Sequence, residues 1–171
     1  MVEIGPGLGA LTDILIQSDF KYQAIELDKS LFDYWKEQGL DIINEDALRI
    51  NWSTIQAETL VSNLPYQISS SIVIDRSVEP CNIQSMVLMF QKEVAQRIRA
   101  QAKTDAYGLL SVIAQEFWNI ETVCDAGPKD FSPPPKVASR VLKFSLKPND
   151  IENRSHYLRF VKMCFQQRLV S

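Results

Sequence analysis

The chain has 171 residues, 46% of them hydrophobic and 23% charged, with a formal net charge of −3. Length and balance fit one ordinary globular domain, long enough to bury roughly 70% of its unfolded surface. The longest apolar run, "MVLMF" at 86–90, falls far short of the ~20 residues that span a bilayer, and no basic-then-apolar leader opens the chain, so a soluble cytoplasmic protein without membrane contact is expected.

Apolar segments alternate with helical patterns along the chain. "MVEI" (1–4) reads as the end of a strand and is followed by a glycine-rich turn and an amphipathic helix from Leu11 to Ile16. "QAIEL" (23–27), "DIIN" (41–44) and "TLVS" (59–62) read as buried strands, with a helix from Lys29 to Gln38 and a short one after Asp46. Next come a helix from Ser69 to Val78, a strand "SMVLMF" (85–90), and helices over Lys92–Ala100 and Leu109–Phe117. Two closing strands, Asn119–Cys124 and Ser139–Ser145, are joined by a proline-rich loop without a helix and should pair as an antiparallel hairpin. The pattern predicts an α/β fold: a mostly parallel, doubly wound seven-stranded sheet with one reversed strand at its edge and helices on both faces. Beyond residue 147, a linker leads into a helical pattern with Tyr157, Val161, Cys164 or Phe165, and Leu169 on one face and Arg154, Arg159, Lys162 and Arg168 interspersed. Strand one begins at residue 1 and this last pattern has no cap, so both ends are expected to be cuts through a longer chain, with 1–147 as the main domain and 148–171 as a linker and the start of a helical one.

Cys81, Cys124 and Cys164 stand about forty residues apart without a C-x-x-C pair, and His156 is the only histidine. A metal cage or disulfide framework is not expected, and the thiols are read as buried. The net charge conceals an asymmetry: residues 1–128 carry 9 Lys and Arg against 18 Asp and Glu, or −9, whereas residues 129–171 carry 9 against 3, or +6. Exposed charges farther apart than about 8–10 Å hardly interact at physiological salt, so the basic end can attract a polyanion despite the acidic total. A solvated basic tail is the plainer alternative.

"EIGPGLG" sets Gly5, Gly7 and Gly9 at the carboxyl end of the first strand, the edge at which open α/β sheets bind ligands. Its G-x-G-x-G spacing is not the dinucleotide fingerprint, and an ordinary tight turn is the alternative. Glu26 lies 21 positions after Gly5, close to the offset of about 20 at which an acid accepts from ribose hydroxyls. Asp46 follows the third strand and is placed to accept from an adenine amino group, or to cap a helix. Together these features point to an adenosine-containing ligand. No G-x-x-x-x-G-K-[ST] or other lysine-bearing loop is present for a pyrophosphate, which favours S-adenosylmethionine over NAD or ATP.

"NLPY" (63–66) follows the fourth strand and faces the same cleft. The exocyclic amine of adenine is a poor nucleophile because its lone pair is delocalised into the ring. An amide oxygen at Asn63 and the carbonyl of Leu64 can accept its two hydrogens and draw the nitrogen towards a tetrahedral shape, which is electrostatic stabilisation with positioning and needs no general base. Pro65 fixes the turn, and Tyr66 offers a ring for the target base, worth ~1–3 kcal/mol of stacking. A helix-entry turn with a buried tyrosine is the alternative.

"EIGPGLGALT", "IELD", "EDAL", "NLPYQISSSI", "FQKEVAQRI", "AYGLLSVIAQ" and "FSPPPKVASRV" occur in the order and spacing of the rRNA adenine N6-dimethyltransferase family, and the chain most resembles its bacterial small-subunit branch. The resemblance runs from residue 1 to about 146, and faintly to "FQQR" (165–168). It implies a Rossmann-like class I methyltransferase in which Glu3, Gly5, Gly7, Glu26, Asp46 and Asn63 bind S-adenosylmethionine, Asn63, Leu64, Pro65 and Tyr66 form the target-amine site, and Phe131 is the second aromatic stacking on a flipped adenine. From its residues alone, Phe131 would be a loop anchor packed on the prolines. The implied reaction is methylation of two adjacent adenosines near the 3′ end of small-subunit (16S) rRNA to N6,N6-dimethyladenosine, by a monomer acting on the immature 30S subunit without a metal. Relatives that methylate large-subunit rRNA and confer macrolide resistance share most motifs. A catalytically impaired ribosome-assembly factor of the same fold and a DNA adenine methyltransferase are further readings. The chain departs from the family in lacking an upstream Q-N-F-L-like segment, in Glu45 standing where "GDAL" has glycine, and in "YGLLSV" where the family has "YGRLSV".

Overall fold

A computed structural model describes residues 1–131 and 135–166. Seven strands form one sheet: β1 (Val2–Ile4), β2 (Gln23–Glu26), β3 (Ile42–Asn44), β4 (Thr59–Asn63), β5 (Ser85–Gln91), β6 (Trp118–Ala126) and β7 (Ser139–Leu146). Among the described residues six α-helices accompany them: α1 (Thr12–Leu15), α2 (Lys29–Glu37), α3 (Tyr66–Val78), α4 (Lys92–Ile98), α5 (Leu109–Phe117) and α6 (Arg154–Gln166). The strand order is β3-β2-β1-β4-β5-β7-β6. β1 to β5 are parallel, each joined to the next by a crossover connection, and their buried apolar character suits a parallel sheet covered on both faces. β7 is the reversed strand and lies between β5 and β6. The hairpin as a unit therefore forms the sheet's edge, and its outer strand β6 runs with the parallel set.

That topology fixes where a ligand can go. The chain winds outward from β1 through β2 to β3, then returns to β4 beside β1 and winds the other way through β5. In open α/β sheets the loops on the two sides of such a reversal diverge and ligands bind outside the carboxyl ends of the strands there, in this sheet those of β1 and β4. The β6–β7 connection opens onto the same edge.

Packing holds the sheet rigid. Leu60, Met86, Leu88, Phe90, Phe117, Trp118 and Phe144 are completely or almost completely buried in one core, each contributing about 1.5–3 kcal/mol of burial. β5 alternates half-buried and buried residues, while β6 turns an exposed face to solvent. α6 belongs to the same core: Val161 is buried in it, Tyr157 meets the Phe117 ring edge-on, and the Arg154 guanidinium lies over Phe117 and donates to the Ser77 carbonyl at 3.1 Å.

Several elements differ from their sequence reading. α3 starts at Tyr66, three residues early, because Pro65 has the φ of −54° that suits a helix entrance. No α-helix follows Asp46, only a single turn closed by the Ile50 N–H on the Asp46 carbonyl at 3.0 Å. Its carboxylate instead accepts the Leu48 N–H at 2.9 Å, the Trp52 indole donates to the Ala47 carbonyl at 2.9 Å, and the segment turns into a 3-10 turn at Trp52–Thr54. The thiols are not all buried, contrary to expectation: Cys124 on the edge strand and Cys164 on α6 are exposed, and Cys81 is half-buried. Ser132 to Pro134 of the proline-rich loop, and Arg168 and Leu169 of the closing helical pattern, lie outside the described residues. Among the described residues no helix is long and apolar enough to cross a membrane.

Candidate active site

The β1–α1 loop is shaped by backbone geometry. Gly5, Gly7 and Gly9 have φ of +67°, +56° and +94°, a region that costs residues with a Cβ about 1–2 kcal/mol. A Cβ on Gly5 would meet nothing within 4 Å, whereas one on Gly9 would lie 2.9 Å from two carbons of the Trp35 ring. Gly5 thus borders open space and Gly9 is packed. Trp35, buried on α2, donates its indole N–H to the Gly7 carbonyl at 2.9 Å and pins the loop from outside.

Glu26, at the end of β2, is 7% exposed and sits beside this loop. One oxygen accepts the Asp28 N–H at 2.9 Å and the other faces the Gly7 N–H at 3.4 Å. A carboxylate offers about four lone-pair sites, so acceptor capacity remains for a vicinal diol. Asn44 ties the ends of β2 and β3 together by donating to the Glu26 and Leu27 carbonyls at 2.8 and 3.2 Å. Ser62 does the same for β4 and β1, donating to the Ile4 carbonyl at 2.5 Å.

Glu3 stands apart from the other expected cofactor residues. It is 1% exposed and accepts from the Thr12 hydroxyl at 2.9 Å and from the Tyr22 hydroxyl. Burial pushes its carboxyl pKa up, and the two hydroxyl donors act against that shift. Burial and the neighbouring Glu3 push the Tyr22 phenol up as well, so it stays a donor. Glu3 therefore braces the loop from beneath. Asp46 is half-buried and caps its own turn, with Arg49 3.6 Å from its second oxygen.

Asn63 closes β4, paired in register with Met89 of β5. Its side chain is exposed and has no hydrogen-bond partner among the described residues. The next residue, Leu64, is 1% exposed and anchors the turn in the core. Pro65 is exposed, and Tyr66, at the first position of α3, is 39% exposed. The buried-tyrosine alternative therefore does not hold. Phe131 is half-buried and follows the 3-10 turn Pro128–Asp130 in the β6–β7 connection. Gly5, Gly7, Glu26, Asp46, Asn63, Tyr66 and Phe131 all stand at one edge of the sheet. The supporting residues Trp35, Tyr22, Asn44 and Ser62 carry no sequence signal of their own, since their partners are set by strand order.

A reversal between β1 and β4, a glycine loop after β1, an acid ending β2 and a β7 reversed within the edge hairpin together define the Rossmann-like class I methyltransferase fold. A family model described as "Ribosomal RNA adenine dimethylase" matches residues 1–170, and the chain belongs to that family. It is 58% identical over 171 residues to "Ribosomal RNA small subunit methyltransferase A" of Bdellovibrio bacteriovorus, covering 98% of this chain and 62% of that relative. Among solved structures it is similar to a dimethyladenosine transferase from Plasmodium falciparum, with a TM-score of 0.83 and 28% identity over 97% of this chain and 62% of that one. It is also similar to the 23S rRNA methyltransferase ErmE, with a TM-score of 0.73 and 25% identity over 99% of this chain and 71% of that one. The chain thus spans about 62% of the length of the Bdellovibrio relative.

Proposed function

We propose that this chain transfers methyl groups from S-adenosylmethionine to the N6 amine of two adjacent adenosines near the 3′ end of small-subunit (16S) rRNA, giving N6,N6-dimethyladenosine. The observation that carries the reading is Asn63: a solvent-facing amide without a partner among the described residues, at the carboxyl end of β4, the strand that neighbours β1 and so stands at the same sheet edge as Gly5 and Glu26. The family and the small-subunit name of the 58% identical relative support rRNA over DNA, and the small over the large subunit.

The residues fit the cofactor. Gly5 leaves room for close approach, and Glu26 keeps acceptor capacity for ribose hydroxyls. The end of β2 and the loops after β2 and β3 hold Glu26, Asp28, Glu45 and Asp46, a negative rim that repels phosphates and suits a cation. Bound there, S-adenosylmethionine supplies an electrophilic sulfonium methyl. The chain's own part is to hold the amine: the Asn63 amide oxygen and the Leu64 carbonyl accept its hydrogens and localise its lone pair, while Tyr66 and Phe131 stack on the base. The proton displaced from nitrogen leaves to solvent after transfer. The +6 charge of residues 129–171 favours a polyanionic partner such as RNA. We further infer that it acts in the cytoplasm as a monomer on the immature 30S subunit, without a metal.

Tritiated methyl transfer tests the reading. Label should enter under-methylated small subunits and not subunits already dimethylated. Equal labelling of large subunits or of duplex DNA would contradict it.

A further inference from the structure

Three charged side chains from three elements meet beside the β6–β7 connection. Arg140 donates from Nε and Nη2 to the two carboxylate oxygens of Asp125 at 2.5 and 2.9 Å, and Lys92 Nζ lies 3.1 Å from Oδ2. Isolated exposed ion pairs contribute little, but a bidentate guanidinium contact within a three-charge network restricts geometry. Hydrogen bonds from Arg140 and then Lys92 hold the Asp125 carboxyl well below the usual carboxylate range, so it is charged at any working pH.

The cluster sits at a stem. Asp125 and Arg140 are direct partners in the β6–β7 register. The Lys92 N–H, at the start of α4, donates to the Ala138 carbonyl at 2.9 Å, and the Gly127 N–H donates to Asp130 Oδ2 at 2.6 Å. Both described ends of the connection that carries Phe131 are thus fixed to each other and to the end of β5. Asn63 is opposite Met89, Met89 opposite Val141, and Val141 opposite Cys124. Arg140 and Asp125 lie one row further towards the carboxyl edge. At about 4.8 Å per strand, the stem stands roughly 10–14 Å to the side of Asn63, a span that a connection holding Phe131 six residues past Asp125 can bridge.

We propose that Asp125, clamped by Arg140 and Lys92, is a positioning residue that sets Phe131 relative to Asn63, so that a base stacked on the ring presents its amine to the amide. This rests on the methyltransferase reading of those two residues. Charge separates the proposal from simple attraction of RNA. Asp125→Asn removes the one negative charge among two positive ones, so electrostatics alone would hold RNA as tightly or more tightly.

The test pairs two measurements on the full chain. Under single-turnover conditions with saturating protein and under-methylated small subunits, Asp125→Asn should slow methyl transfer by about ten-fold or more, since misplacement by about 1 Å costs up to 10²-fold. Asp125→Glu should recover part of the rate, and S-adenosylmethionine affinity should not change in either variant. In hydrogen exchange, the Gly127 and Lys92 amides should lose protection in Asp125→Asn while those of Gly5 and Gly9 keep theirs. An unaltered rate with an active parent overturns the proposal. A parent that transfers no methyl counts against the methyltransferase reading instead, and the exchange arm then decides the clamp: unchanged protection at Gly127 and Lys92 overturns it, and lost protection supports it.

Discussion

Gly9→Ala and Gly5→Ala should separate two tasks that the glycine loop combines. At Gly9 the new methyl would lie 2.9 Å from Cζ2 and Cη2 of Trp35 and 3.1 Å from Asp13 Oδ1, at a φ of +94°. The backbone strain costs about 1–2 kcal/mol, displacing a buried ring about 1–3, and losing the indole bond to the Gly7 carbonyl about 0.5–1.5. Together these come to about 2.5–6.5 kcal/mol, a large share of a typical stability of about 5–15 kcal/mol. For a domain of this size, about 2–4 °C of melting temperature is lost per kcal/mol, so Gly9→Ala should melt at least about 5 °C below the parent. At Gly5 the methyl enters open space at a φ of +67°, so strain alone applies, about 1–2 kcal/mol, and the loss should be about 2–8 °C, less than at Gly9. Its effect should instead appear in calorimetry with S-adenosylmethionine, because the methyl occupies the space that a ligand would use. A Gly9→Ala protein that melts no lower than Gly5→Ala, or a Gly5→Ala protein with parental cofactor affinity, would refute this division.

Two other outcomes concern buried charge. The Glu3 carboxyl pKa is raised in the fold from 4.5, so the unfolded chain gives up that proton first and Glu3 costs stability as pH rises from about 4.5 through the folded value. Melting temperatures of Glu3→Gln should therefore gain on the parent across that rise, and a constant difference from pH 4 to 7 would contradict the linkage. The Arg76 side chain is 1% exposed, lies 4.2 Å over Trp52, and pairs through Nη2 with Glu79, yet its Nε and Nη1 find no acceptor among the described residues. Replacing a buried ion pair by packed apolar chains is often neutral or stabilising by about 1–4 kcal/mol, and the Glu79 side chain, 54% exposed, is not left as a buried charge when Arg76 is removed. Arg76→Met should thus melt with the parent or above it while Glu79→Gln melts below, and the reverse order would show that the guanidinium stabilises the fold.

What could be read from the sequence was what depends on neighbours along the chain. α5 spans Leu109–Phe117 as its apolar pattern predicts, with Gly108 at its entrance and the β-branched and aromatic residues of β6 after it. Gly5, Glu26 and Asn63 could be placed at one edge because a parallel sheet brings every strand's carboxyl end to the same side. The acid at position 46 was legible as a cap but not as the cap of a turn, since the Trp52 indole that folds the segment back reaches Ala47 through space. The resemblance implies a cofactor role for Glu3, but no spacing announces its bonds to Thr12 and Tyr22, which lie 9 and 19 residues away. Trp35 gave no signal beyond being a helix-face aromatic. Its bond to Gly7 exists only once β1 and β2 pair and α2 packs beside the loop.

The most direct measurement is single-turnover methyl transfer from S-adenosylmethionine to under-methylated small subunits by Asn63→Ala beside the parent, at cofactor concentrations that saturate both. Loss of one preorganised polar contact to a reacting group typically costs about 10²–10³ in rate. A fall of that size in a variant that melts like the parent is expected; equal rates would contradict the role given to Asn63.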